Sequence, residues 1–399
     1  MTDVAKEEWR PGAPAVTLVK GALMNGADDS PYSWPLQACG VFSPDGERLA
    51  ASETWSFAGR LSVDCRVPSR AEARRRPGRW LFGGVVFNHF GHAFIYSASR
   101  LWGVDHLNAE GVVPDGVLFF QRAPRLPEDP PHLGKRLAEV LVPYDPGIPV
   151  DTVAGAEEVE ELYLPTQGIS TDPALFLGTP GHHAYMRRRG RSGAPATPDQ
   201  DIYISRTGTG PYKGNHILEN LIEQQMAEAG YRIFQPEKAT LAEQIAVYQS
   251  ARRIVGVDGS AFHVAATAIA PECKVAIIAR RAYYADAMAD QVHAFSGAEV
   301  TVINAYTDVY STDPSSGTPI QWYRTLVMTD FDLLGRTLAD HGFLDRAPNW
   351  QLPRAERIAA RIGRWSARLG ATLVPVPDEQ RGTEPGLDYV RVSKAEKAG

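Results

Sequence analysis

The stretch 201-DIYISRTGTGPYKGNHILENLIEQQMAEAGYRIFQPEKATLAEQIAVYQSARRIVGVDGSAFHVAATAIAPECKVAIIA-279 alternates between two spacings of apolar residues, and that alternation decides the fold. DIYIS (201–205), YRIFQ (231–235), RRIVGV (252–257) and KVAIIA (274–279) are short apolar runs that read as strands. Between them the period lengthens to that of a helix. HILENLIEQQMAEAG reads as a helix with Asn215 at its N-cap, an apolar face of Leu218, Leu221, Ile222 and Met226, and Gly230 as its stop. LAEQIAVYQSAR starts on a capping box of Thr240 and Glu243, and AFHVAATAIA is a further helix of small residues. Strands joined by crossover helices make a parallel, doubly wound sheet, in which ligands sit beyond the carboxyl ends of the strands.

Upstream, 187-RRRGRSGAPATPDQ-200 passes from a basic run into Gly, Pro, Ser and Thr and reads as an interdomain linker. Before it the same rhythm recurs: strands at 79–87, 116–120 and 159–165, helices at 93–102 and 132–141. A second α/β domain follows from this, preceded by a β-rich preamble over 14–70 with a turn at Ser43-Pro44-Asp45-Gly46. Downstream, 354-RAERIAARIGRWSARLG-370 is an amphipathic helix whose Ile358, Ile362, Trp365 and Leu369 are expected to pack on a domain rather than on lipid. The last twenty or so residues are polar and read as loosely ordered. The expected division is 1–190, 191–330 and 331–399, the last being helices and a polar tail.

Bulk properties agree with this picture. The 399 residues exceed the roughly 250–300 that a single core supports. With 44% hydrophobic and 22% charged residues the composition is that of a packed globular protein, and a formal charge of −6 offers no overall field for nucleic acid. Three scattered cysteines, Cys39, Cys65 and Cys273, form no metal or redox pair and suit a reducing compartment. With neither a signal pattern nor an apolar run near 18 residues, the expected location is cytoplasmic.

Three segments could carry chemistry. The turn Val257-Asp258-Gly259-Ser260-Ala261-Phe262-His263 joins an apolar strand to a helix, so its N–H groups and the positive end of the dipole could receive a diphosphate. The alternative is that Asp258 or Ser260 simply caps the helix. Tyr203-Ile204-Ser205-Arg206 ends a strand in a cation, and Lys213 follows in a Gly-rich loop, so the two could flank the same diphosphate; a surface salt bridge for Arg206 and solvation for Lys213 are the plainer readings. Asn88-His89-Phe90-Gly91-His92 again joins strand to helix, with Arg100-Leu101-Trp102 closing that helix. His92 is suited to take a proton from an acceptor hydroxyl, or else it is structural, in which case Asp105 or Asp258 is the rival base. His89 and His92 have no third ligand nearby, so no metal is expected. His182-His183 reads as a solvated loop, and Glu243, although explained by its capping box, could also meet a nucleotide ribose.

Taken together the motifs resemble glycosyltransferase family 61, in its bacterial branch associated with capsular and other surface polysaccharides. The resemblance rests on Phe87 to His92, Arg100 to Trp102, the LYLP strand Leu162 to Pro165, the YISR strand Tyr203 to Arg206, and the GxxGSxxH turn Gly256 to His263. Asp258 and Val264 depart from residues common in that family. The resemblance implies a GT-B-like pair of Rossmann-type domains, a C-terminal one for the nucleotide-sugar donor and an N-terminal one for a glycan or lipid-linked glycan acceptor. It implies an inverting transfer without a metal cofactor. Arg206, Lys213, Gly259, Ser260, His263 and Glu243 would then lie on the donor side, and Asn88, His89 and Arg100 on the acceptor side. Peripheral association with a membrane polysaccharide assembly system would fit. An epimerase on the same architecture and a non-catalytic scaffold remain open beside it.

Overall fold

The computed structural model describes residues 14–26, 36–56, 59–87, 89–120, 134–153, 155–172, 174–195, 197–312, 324–377 and 389–393. The chain is mixed α/β and forms two compact units, Met1–Ser192 and Gly193–Gly399.

The first unit contains β1 (Val16–Gly26), β2 (Gln37–Phe42), the two-residue strands β3 (Trp55–Ser56), β4 (Gly59–Arg60) and β5 (Ser62–Val63), and the long β6 (Arg74–Val85). Then come α1 (Phe90–Ile95), α2 (Trp102–Ala109), β7 (Gly116–Phe120), α3 (Gly134–Leu141), β8 (Val150–Val153), β9 (Ala156–Pro165) and α4 (Pro180–Gly190). Seven strands form one sheet in the order β5-β2-β1-β9-β6-β7-β8. The expected preamble is therefore not separate, because β1 runs antiparallel along β9 from Val16↔Pro165 to Asn25↔Ala156. β6, β7 and β8 are parallel, and every residue of β7 is buried, as an unbroken apolar strand in a parallel sheet should be.

Two local readings change here. The helix expected over 93–102 breaks into α1, a 3-10 turn at Ser97–Arg100, and α2. The buried Ser97 hydroxyl donates to the Val85 carbonyl at 2.8 Å and accepts the Phe87 N–H at 3.0 Å, which ties that turn to the end of β6. The expected linker begins inside α4, whose last turn holds Arg187 to Arg189 and whose N-cap is Thr179.

The second unit begins with β10 (Gln200–Ile204), β11 (Asn215–His216), α5 (Glu219–Glu228), β12 (Arg232–Phe234), α6 (Leu241–Gln249), β13 (Ala251–Val257), α7 (Ala261–Ala268) and β14 (Lys274–Ile278). It continues with α8 (Ala282–Ser296), β15 (Glu299–Asn304), β16 (Tyr306–Thr312), β17 (Leu326–Thr329), α9 (Phe331–Asp340), α10 (Ala355–Leu369), β18 (Leu373–Pro375) and β19 (Tyr389–Ser393). Its main sheet has the order β12-β10-β13-β14-β15-β19, parallel except for β19. Counted along the chain, the parallel strands stand in the order 2-1-3-4-5, so the connections reverse between β10 and β13. The crevice at such a switch point is where doubly wound sheets take ligands.

The described residues of 331–377 share the core of the second unit. Phe331, Leu334, Leu338, Trp365 and Leu369 enter the same core as Ile222, Met226, Val255 and Ile278. Within the tail expected to be loose, Tyr389–Ser393 pairs with β15. Asn215 lies in β11, beside β17, and not at a helix N-cap; α5 starts after Leu218.

Candidate functional site

Arg206, Gly259 and Arg280 follow the carboxyl ends of three adjacent strands, β10, β13 and β14. The registers Ile204↔Gly256 and Val257↔Ile278 bring those ends level. At the first end, the buried Glu219 carboxylate accepts the Arg206 N–H at 2.6 Å and the Asn215 amide at 2.5 Å. The same amide reaches the Arg206 carbonyl at 3.2 Å, so both faces of the Arg206 peptide backbone are held. The Arg206 guanidinium is held by the carbonyls of Lys213 and Gly214 at 3.1 and 3.3 Å. Lys213 thus contributes its main chain, with its side chain exposed.

Gly259 lets the guanidinium come close: a Cβ there would lie 2.3 Å from Arg206 Nη1, the end of a flexible side chain. Ser260 precedes α7 but makes no side-chain cap, so the capping reading fails for it. Among the described residues, the backbone N–H groups of Gly259, Ser260 and Ala261 donate to no protein acceptor. Three donors at the start of an eight-residue helix, next to a guanidinium, are an arrangement that can receive an anion.

Asp258 is fully buried, with Arg280 Nε at 2.7 Å and Arg281 Nη2 at 3.5 Å. Burial pushes its carboxyl upward, but Arg280, Arg281 and Arg206 outweigh it and hold it below the usual range. A carboxylate so stabilised takes up a proton less readily and serves to anchor the two arginines. Burial lowers Arg280 to about 9, still charged at neutral pH. Arg281 lies 4.0 Å over the Tyr284 ring. The sequence reading missed both arginines, although KVAIIA runs into Arg280-Arg281 as YIS runs into Arg206. It also missed His216, buried with Nδ1 2.7 Å from Thr329 Oγ1 and driven by burial down to about 3, hence neutral. Beside β10, a cavity of about 370 Å³ opens at the end of β12, lined by Glu223, Ile233, Phe234, Gln235, Lys238 and Ala239.

Two expected donor residues lie elsewhere. His263 is buried and hydrogen-bonds Gln291 on α8 through Nδ1, with its pKa lowered to about 4 by burial; it is a core histidine. The Glu243 carboxylate accepts the Thr240 N–H at 2.7 Å and the Thr240 hydroxyl at 2.8 Å, so it is occupied by its capping box.

In the first unit, His92 is half-buried on α1 after the carboxyl end of β6. Its ring packs against Phe87 at 5.8 Å, Tyr96 at 5.2 Å and the exposed His89 at 4.9 Å. Asn88 lies outside the described residues. Arg100 is no acceptor contact: it is fully buried, donating to Pro165 O at 3.1 Å, Ala51 O at 3.3 Å and Glu53 O. Burial lowers it to about 10, which keeps it charged. Asp105, the other rival base, pairs with Arg188 at 2.5 Å and Arg189 at 3.3 Å. His182 is buried on α4 and lowered by burial to about 3, and His183 Nε2 lies 2.7 Å from Leu177 O; neither is in a solvated loop.

Among the described residues, no three or more His, Cys, Asp or Glu side chains cluster as a metal site. Nor, among them, is any helix long and apolar enough to cross a membrane. No curated protein matches the chain. Residues 90–277, from the start of α1 into β14, match the family model described as Glycosyltransferase 61, so this part of the chain is similar to that family.

Proposed function

We propose that the chain is an inverting glycosyltransferase of the GT-B kind, moving a sugar from a nucleotide-sugar donor to a hydroxyl of a glycan or lipid-linked glycan in surface-polysaccharide synthesis. The observation that carries this reading is Arg206 set against Gly259 at the β10/β13 switch point, with Arg280 and Arg281 alongside. The donor diphosphate lies there, and its nucleoside runs toward the cavity at β12, where Glu223 replaces Glu243 as the carboxylate for the ribose. His92 takes the proton of the acceptor hydroxyl, whose oxygen attacks the anomeric carbon. The bond from that carbon to the diphosphate oxygen breaks, and the departing charge meets Arg206, Arg280, Arg281 and the N–H groups of Gly259 to Ala261. On this reading no metal is required, and turnover persists in a chelator.

The test is a thermal-shift and turnover experiment. A nucleoside diphosphate at about 100 times its dissociation constant should add roughly 2.7 kcal/mol of apparent stability. His92→Asn should retain that shift and lower turnover by a factor of about 100–10,000. If no nucleoside diphosphate raises the melting temperature, the donor-site reading is wrong. Near-normal turnover in a folded His92→Asn protein would remove His92 from the chemistry.

A further inference from the structure

Helix α10 carries a charge pattern that the reaction above does not use. Residues 354–369 hold five arginines, Arg354, Arg357, Arg361, Arg364 and Arg368, against one acid, Glu356, in a chain of formal charge −6. At 100° per residue, Arg357, Arg361, Arg364 and Arg368 fall within about 60° of one another, in a row about 17 Å long. Arg357, Arg364 and Arg368 are exposed and Arg361 is half-buried.

Among the described residues none of the five is in an ion pair. Arg361 Nε donates to Ile217 O at 3.1 Å, and the Arg368 guanidinium lies 4.7 Å over the Trp365 ring. Burial lowers the Arg361 pKa, and Arg364 and Arg368 lower it further. Like charges three and four residues apart destabilise an isolated helix, so this row is unfavourable until an anion meets it.

The chemistry of the surroundings favours one kind of anion. The apolar stripe of α10 is used inside the protein: Trp365 and Leu369 are buried in the core, with Ile358 and Ile362 packed against it. In the second unit, the exposed large apolar side chains among the described residues are Tyr212 and Leu352. Both stand at ends of α10. Tyr212 donates its hydroxyl to Leu369 O at 3.3 Å, and Leu352 comes two residues before the N-cap Arg354. A cationic row bounded by an exposed aromatic and an exposed aliphatic suits a headgroup layer with apolar matter beneath it. A soluble polyanion would make no use of the apolar pair.

We propose that the Arg357–Arg361–Arg364–Arg368 face of α10 is a docking surface for an anionic phospholipid bilayer, with Tyr212 and Leu352 meeting the headgroup layer at its ends. Contact is electrostatic and superficial, because the apolar stripe is already buried. The proposal does not rest on the transferase reading.

The experiment is co-sedimentation of the full chain with phosphatidylcholine vesicles, with and without phosphatidylglycerol. The protein should partition onto the phosphatidylglycerol vesicles only, and less as salt is raised. The triple variant Arg357→Glu, Arg364→Glu, Arg368→Glu should lose about a hundredfold in partitioning. Its circular dichroism spectrum and melting temperature should match those of the parent, which establishes that it is folded. Should the reversal prevent folding, Arg357→Gln, Arg364→Gln, Arg368→Gln replaces it, with a loss of at least about tenfold expected. Equal partitioning of variant and parent overturns the proposal, and so does failure of the parent to bind phosphatidylglycerol vesicles. Binding to dextran sulfate without binding to vesicles assigns the row to a soluble polyanion and overturns it as well.

Discussion

Arg100 closes the 3-10 turn before α2 and Arg206 follows the end of β10, and the fold uses these two arginines in opposite ways. Arg100 has no solvent exposure, gives Nε and Nη2 to three carbonyls, and lies 5.3 Å over the Phe82 ring. It fastens the segment at Ala51 and Glu53 to the end of β9. Arg206 is half-buried, is held mainly through its backbone and Nη2, and presents Nη1 to the Gly259 turn. A buried cation that spends its donors on carbonyls is a structural fastening, whereas one held from behind beside unspent N–H groups is suited to a ligand. The contrast predicts a crossed outcome. Arg100→Met should destabilise the protein by about 3–5 kcal/mol in denaturant melts, because three buried carbonyls lose a charged donor. Arg206→Ala should change stability by less than about 1 kcal/mol yet weaken nucleoside-diphosphate binding about a hundredfold by calorimetry. Equal effects of the two substitutions on folding would erase the distinction.

Glu219 sharpens the comparison, since it is what holds Arg206 from behind. Burial raises its pKa to about 7, against the lowering effect of the Arg206 N–H, Asn215 and the Arg206 charge, with Glu223 adding to the rise. The ordinary value is 4.5, so between about 4.5 and 7 the folded chain keeps a proton that the unfolded chain releases. The stabilising contribution of this group is therefore complete below about 4.5 and is lost as pH rises through about 7. Glu219→Gln cannot ionise. Its stability relative to the parent should rise by about 2 kcal/mol between pH 5 and pH 8 in urea melts. A difference that stays flat with pH would mean that Glu219 is not buried as a titrating carboxyl.

Gly259→Ala probes the other side of Arg206. The nearest obstacle to its Cβ is the end of a flexible side chain, Arg206 Nη1 at 2.3 Å, so the fold should yield by moving that guanidinium. Stability should change by less than about 1 kcal/mol. Nucleoside-diphosphate affinity should fall about tenfold, and the loss should not add to that of Arg206→Ala, because the two residues are in contact. Additive losses would show that Gly259 acts independently of Arg206.

The alternation of strand and helix was legible where apolar runs were unambiguous: 116–120 reads as a strand and β7 is Gly116–Phe120. Interruptions by polar side chains were not legible. Ser97 breaks a helix by bonding to the end of β6, and Asn215, a good capping residue by type, instead bridges Arg206 and Glu219. Both depend on hydrogen bonds to a neighbouring element, which the apolar spacing of their own segment does not encode. The site was legible in part for the same reason. Arg206 and Gly259 stand at strand ends, and the parallel sheet brings strand ends together. The inward turn of His263 toward Gln291 and of Arg100 toward Pro165 is decided by packing, which the motifs containing them do not encode.

The smallest effect belongs to Glu243, a carboxylate that could be read as a cap or as a ribose contact. In the fold it accepts from the Thr240 N–H and hydroxyl while Thr240 Oγ1 accepts the Glu243 N–H at 3.3 Å, so the reciprocal bonds of the capping box are complete. Its pKa is lowered, first by the Thr240 backbone and then by the Thr240 side chain, so both causes lie within the cap. Removing this exposed half of the capping box should cost less than removing a buried N-cap bond. Glu243→Ala should therefore lower the melting temperature slightly and leave nucleoside-diphosphate affinity unchanged. Glu223, at the cavity beside β12, should behave in the reverse manner: Glu223→Ala should weaken binding of the nucleoside diphosphate with little change in the melt. If Glu243→Ala loses affinity and Glu223→Ala does not, the ribose lies at the start of α6 and the nucleoside runs past the cavity rather than into it.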